Sequence, residues 1–196
     1  GIFESSSITF GTTTLINAGF YDIFIVKYDP TGNVLWAKQQ DSGGNWYEWW
    51  SSVTIDANEN IILTGTFGSS TITFGTTSLS NAGVNSDIFI VKFDPNGNVL
   101  WAKQQDSGGT FNEWGSDIVA DVNGNIIVTG SFNSPTITFG STTLINAGDH
   151  DIFIVKYDTN GNVLWAKQQD AGGTELDYGG SISVDASENI IFTGIF

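Results

Sequence analysis

The sequence predicts an all-β fold of repeated four-stranded sheets, and three observations carry that prediction. The 196-residue chain repeats itself: DIFIVKYD begins at Asp22, DIFIVKFD at Asp87 and DIFIVKYD at Asp151, 65 and 64 residues apart. GNVLWAKQQD follows each copy and sets Trp36, Trp101 and Trp165 in step. Each unit breaks into short strand-like stretches separated by Asp- and Asn-rich turns, with no helical periodicity anywhere.

The middle copy shows the elements in order. Ser116 to Asp121 reads as a short first strand. Asp121-Val122-Asn123-Gly124-Asn125 then turns the chain, because Asp can bond nearby backbone N–H groups and Gly takes the left-handed position. Glu59 and Glu188 replace that Gly in two copies, at an expected strain cost. Ile126 to Phe132 is a second strand, and Thr136 to Leu144 a small hairpin around Gly140. Asp151 to Tyr157 is the third strand, Asp158 to Asn162 a second turn, and Val163 to Gln169 the fourth strand. The Asp-x-Asn-Gly turns share part of a calcium-loop signature, but they lack its remaining ligands and its distal Glu, so they read as turns. A T-G-x-F step gives Gly65, Gly130 and Gly194, and Gly1-Ile2-Phe3 repeats Gly194-Ile195-Phe196.

The third strand is apolar on both faces. In Asp22 to Tyr28, Ile23 and Ile25 point one way, and Phe24, Val26 and Tyr28 the other. Without helices, such a sheet must lie between other sheets, as in blades stacked around an axis. The prediction is therefore a β-propeller of three blades per chain, each lengthened to about 65 residues by the inserted hairpin. Residues 1–196 form one repeat domain. Its blade units are approximately 51–105 and 116–169, with a composite blade from 180–196 plus 1–40.

DIFIVKYDPTGNVLWAKQ, the following D-S-G-G and the NIIxTG step together resemble the bacterial β-propeller repeats called SBBP. The resemblance covers all three units. It implies a propeller and an extracellular or cell-surface protein, and it implies no catalytic residues. The hairpin insertion means that a blade number does not carry over.

Composition excludes several classes of function. Lys and Arg total 6 against 21 Asp plus Glu, a formal charge of −15. Every basic residue is Lys, which argues against a phosphate backbone or an anionic membrane as partner. No apolar run approaches the roughly 18 residues of a membrane-spanning helix. No secretory leader is expected to remain on the chain. There is no Cys and one His, so thiolate, zinc-thiolate and most acid–base constellations are missing. The expectation is a protein that is not an enzyme and needs no cofactor.

Blade topology gathers the variable segments at one end. GGNWYEWWSS (43–52), GGTFNEWGS (108–116) and GGTELDYGGS (172–181) join the fourth strand to the next first strand. GFYD (19–22), GVNSD (83–87) and GDHD (148–151) precede the third. Phe20, Tyr21, Trp46, Tyr47, Trp50 and Phe111 are the candidate ligand-binding residues, because exposed aromatic rings suit stacking on a glycan or anchoring a protein. Trp49, Trp114 and Tyr178 recur at one position and read as packing. Glu48, Glu113 and Asp177 precede the first strands and could ring an axial channel around a Ca2+ ion, or instead cap backbone N–H groups. His150, between Asp149 and Asp151, reads as an exposed loop residue. Lys27, Lys92 and Lys156, and Lys38, Lys103 and Lys167, recur in step; such a strand Lys blunts edge pairing or meets a neighbouring Asp.

The expected function is an extracellular binding module for a glycan or protein. The alternative is a structural protein that assembles into rings or filaments, and a polysaccharide-active enzyme is the third reading. Three blades are too few to close a propeller. Two chains sharing composite blades would give a six-bladed homodimer; a joint whose rotation does not close would give a filament.

Overall fold

A computed structural model describes residues 1–17, 19–40, 48–81, 85–105, 111–169 and 176–195, without the side chains of Glu48, Trp50 and Ser51. All regular structure within these residues is β. The N-terminal part holds β1 (Ile2–Phe3), the hairpin β2 (Ser7–Phe10) and β3 (Thr13–Ile16), then β4 (Asp22–Tyr28) and β5 (Val34–Gln40). The next unit has β6 (Glu48–Ile55), β7 (Ile61–Phe67), the hairpin β8 (Thr71–Phe74) and β9 (Thr77–Ser80), β10 (Asp87–Phe93) and β11 (Val99–Gln105). The third repeats it: β12 (Glu113–Ala120), β13 (Ile126–Phe132), β14 (Thr136–Phe139), β15 (Thr142–Ile145), β16 (Asp151–Tyr157) and β17 (Val163–Gln169). β18 (Tyr178–Val184) and β19 (Ile190–Ile195) follow.

Two antiparallel sheets of four strands are complete, β6-β7-β10-β11 and β12-β13-β16-β17. At the two ends of the array stand β1-β4-β5 and β18-β19. One expectation needs correction. The first strand of each blade begins earlier than expected, at Glu48, Glu113 and Tyr178, so Trp49, Trp50, Trp114 and Tyr178 belong to strands and not to loops. A bulge hides this continuity from sequence pattern: the register shifts between Trp50 and Ser52, Gly115 and Asp117, and Gly179 and Ile182. A bulge reverses the alternation that marks a strand.

All six Asp-to-Asn turns use one mechanism. In the first, Asp29 Oδ1 accepts the N–H groups of Thr31 and Asn33 at 2.8 and 2.9 Å, and Oδ2 accepts Asn33 Nδ2 at 2.9 Å. Asp56, Asp94, Asp121, Asp158 and Asp185 do the same with the Asn four residues on. The residue before that Asn sits at positive φ, and in two turns it is Glu: Glu59 at 61° and Glu188 at 64°. These carboxylates are occupied by N–H donors, as a turn requires.

The first strands are radial neighbours, with β12 packed between β6 and β18. Blades meet through apolar clusters. Ile62, Ile88 and Ile90 of one complete blade pack with Ile118, Val128 and Phe153 of the other. Ile127 and Ile154 pack with Ile182 of β18, and Ile23 of β4 joins the cluster of Phe89 and Val91. The repeated Trp is an inter-blade contact. Trp36 Nε1 and Lys27 Nζ both donate to Pro95 O at 3.2 Å, and Trp101 Nε1 and Lys92 Nζ to Thr159 O at 3.3 Å. Within each complete blade the buried Lys meets an Asp: Lys92–Asp56 at 2.8 Å and Lys156–Asp121 at 2.7 Å. Burial opposes ionisation of Asp56 and Asp121. The Lys partner, with the Asn and backbone N–H donors of the turn, outweighs it and holds both carboxyls below the usual range.

Candidate binding face

The register brings the start of the first strand, the end of the second and the start of the third to one end of each blade. Glu48 lies opposite Phe67 and Phe67 opposite Asp87; Glu113, Phe132 and Asp151 repeat the row. The aromatic candidates collect at this end in two groups. Phe20 is exposed and meets Tyr21 edge-on, with centroids 5.1 Å apart. Tyr21 in turn lies 6.4 Å from Trp49, which is 52% exposed. Phe111 is also exposed. In the second group Trp114 stacks on His150 at 5.0 Å and 27°, and His150 lies 5.4 Å from Tyr178.

Two expectations change here. His150 is not an exposed loop residue; it is buried between two rings. Its Nδ1 lies 3.2 Å from Asp149 Oδ1, but neither ring nitrogen makes a hydrogen bond of good geometry. Trp49, expected to pack like Trp114, is more than half exposed. Ser86 stands where Tyr21 and His150 stand in the other copies, so this position does not give Trp49 the ring that His150 gives Trp114. Trp46 and Tyr47 lie outside the described residues, and Trp50 is described only as backbone of β6.

Two acids of the candidate cation ring are tied to the preceding blade through their main-chain amides. Glu113 N–H donates to Ser86 O at 2.9 Å and Asp177 N–H to His150 O at 3.1 Å, so each ties one blade to the next. Both side chains are buried. Among the described residues no group of three or more His, Asp or Glu is placed to hold a metal. The Glu48 side chain lies outside the description.

Sequence reasoning passed over a second set of acids. Asp22, Asp87 and Asp151 are buried and accept the Nε2 of Gln39, Gln104 and Gln168 at 2.5, 2.8 and 2.5 Å. The same three Nε2 groups also donate to Ile16, Ser80 and Ile145 O, which pins each hairpin to its blade. The signal was available: the leading Asp of DIF and the paired Gln of WAKQQ recur at fixed separation.

Comparison with known proteins bears on this architecture. No protein-family model matches the chain. Over 203 residues it is 29% identical to an uncharacterized WD repeat-containing protein of Acanthamoeba polyphaga mimivirus. The match covers 89% of this chain and 14% of that protein, so the chain spans about one seventh of its relative. WD repeats are four-stranded propeller blades, and side-by-side four-stranded antiparallel sheets are what the structure contains. The chain is a β-propeller-like repeat protein. The narrower likeness to SBBP repeats rests on the shared motifs alone.

Proposed function

We propose that this propeller-like chain is a non-enzymatic binding module that holds a protein partner on the aromatic end of its blades. One observation carries the reading: Phe20, Tyr21 and Trp49 form a continuous, partly exposed aromatic row at the end where the three units differ most. Rigid rings give large contact area at low entropic cost, which is why they dominate protein-binding hot spots. The formal charge of −15 favours basic groups around the apolar anchor of the partner. Asp22, Asp87 and Asp151 at this end accept structural hydrogen bonds from Gln side chains, and the one His is enclosed by rings. That arrangement supports binding over turnover.

The test is selection of displayed random peptides on the immobilised protein. Selected peptides should be rich in Lys or Arg beside an apolar residue. They should lose binding to a Phe20→Ser/Trp49→Ser variant and keep it for Leu100→Ser, an exposed change on β11. Equal binding to both variants would contradict the reading. Glycan-array binding abolished by the first variant would replace the protein partner by a sugar.

A further inference from the structure

Two internal joints between blades carry the same polar cleft. At each, the fourth strand of one blade faces the hairpin of the next. The first cleft, of about 680 Å³, is lined by Lys38 and Gln40 of β5 and by Thr71, Thr73 and Thr76 of the β8–β9 hairpin, among others. The second, of about 420 Å³, is lined by the counterparts Lys103 and Gln105 of β11 and by Gly140 of the β14–β15 hairpin. Both volumes fall within the range of small-molecule sites, about 300–1,000 Å³. The hairpin walls are fixed from behind. Gln104 and Gln168 pin them to their own blades through Ser80 and Ile145, and the turn glycines Gly75 and Gly140 lie against Val99 and Val163. A wall held in this way is ordered before a ligand arrives.

The two joints differ at one amide. Gln105 Nε2 donates across the second cleft to Thr138 O of the next hairpin. Gln40 stands at the same position in the first cleft and is 6% exposed, yet its side chain makes no hydrogen bond among the described residues. Lys38 beside it is half-buried, and among the described residues its ammonium makes neither a hydrogen bond nor an ion pair. Lys27, Lys92 and Lys156 all have such partners. A covered amide is costly unless an oxygen meets it, and the second joint supplies that oxygen where the first leaves space.

We propose that the first cleft binds a neutral sugar residue of a glycan, with Gln40 Nε2 and Lys38 Nζ donating to its hydroxyl oxygens. The donor set selects the class. Sugar hydroxyls accept from Gln40 and Lys38 and donate in turn to the side-chain oxygens of Gln40, Thr71 and Thr76. A carboxylate or phosphate only accepts, so it would leave those oxygens unmet. It would also enter the field of a chain with formal charge −15, with the Asp94 carboxylate already within Coulombic reach of Lys38. The cleft shares no residue with the row of Phe20, Tyr21 and Trp49, so this site stands apart from the protein-binding reading.

An array of neutral oligosaccharides printed beside sialylated and uronic-acid glycans supplies the probe. The unaltered chain should bind neutral glycans. Gln40→Ala and Lys38→Ala should each weaken that binding about tenfold. Gln105→Ala should change it by less than about twofold, and Phe20→Ser/Trp49→Ser should leave it in place. A second readout needs no substitution. On addition of the tightest-bound neutral oligosaccharide, the NMR signals of the Gln40 side-chain amide should shift and those of Gln105 should stay. Binding to no glycan, binding to acidic glycans alone, or a Gln40 signal that does not move overturns the proposal. So does binding lost in Phe20→Ser/Trp49→Ser, which would place the sugar at the aromatic end.

Discussion

The second strand tells two different stories in one chain. In β7 and β13 every residue is buried, between a first and a third strand and under a neighbouring blade. In β19, built from the related residues IIFTGI, most positions are exposed. Sequence differs little between these segments, so the difference in burial comes from what flanks them. A blade is thus not a self-contained unit. Its stability is a sum of its own pairing and of interfaces with neighbours, as in other repeat architectures. Four expectations break or sharpen that comparison.

The largest effect should come from the buried ion pair of a complete blade. Lys92→Ala leaves the Asp56 carboxylate buried without its cation and should cost about 3 kcal/mol in urea unfolding. Lys27→Ala, at the same repeat position on the half-exposed β4, should cost under about 0.5 kcal/mol in the single chain. Equal losses would erase the distinction between the two regions.

Glycine in the second strand comes next. A Cβ on Gly130 would collide with Trp114 O and the Phe153 ring, and Gly130→Ala should destabilise by about 2 kcal/mol. Gly194 faces Tyr178 O and the end of the Ile152 side chain, with no phenylalanine ring beside it. Gly194→Ala should therefore cost measurably less in the same unfolding experiment.

Acid should weaken the complete blades first. The folded carboxyls of Asp56 and Asp121 lie below the usual range, so the stability they add is present above their unfolded pKa of about 3.9. It is lost as pH falls from there through the lowered folded values. The exposed Asp29, lowered to about 2 by Asn33 and Thr31, should keep its turn ordered further into acid. NMR titration of the carboxyl carbons reads both; an Asp56 that titrates at its unfolded value would contradict the ion-pair account.

The smallest effect is in a turn. Glu59→Gly relieves a positive φ at a site where Gly stands in four of the six turns, and should raise stability by about 0.5–1 kcal/mol. Thermal unfolding is sufficient to see it.

Most of the fold was legible because repetition supplied three readings of each element. The bounds of the second, third and fourth strands in the middle copy coincide with β13, β16 and β17. The first strand was cut short because its bulge breaks the period-two pattern at Gly115 to Asp117. The candidate face was less legible. The cover on a ring depends on the residue before the third strand of the same blade: His150 stacks on Trp114, and Ser86 stands at that position beside the half-exposed Trp49. The repeated Lys was legible only as a choice between edge protection and an Asp partner. The structure supplies the Asp in two copies, and in the third Lys27 donates to Pro95 O of the neighbouring blade.

The central claim is that burial within a blade is set by what flanks each strand. Amide hydrogen exchange on the unaltered chain tests it most directly. Phe24 N–H donates to Gly1 O on the β1 side of β4, and alternation aims the Val26 and Tyr28 amides the same way. These two amides should exchange faster than those of Val91 and Phe93, which β7 covers along the whole of β10. Equal protection at all four amides would contradict the account.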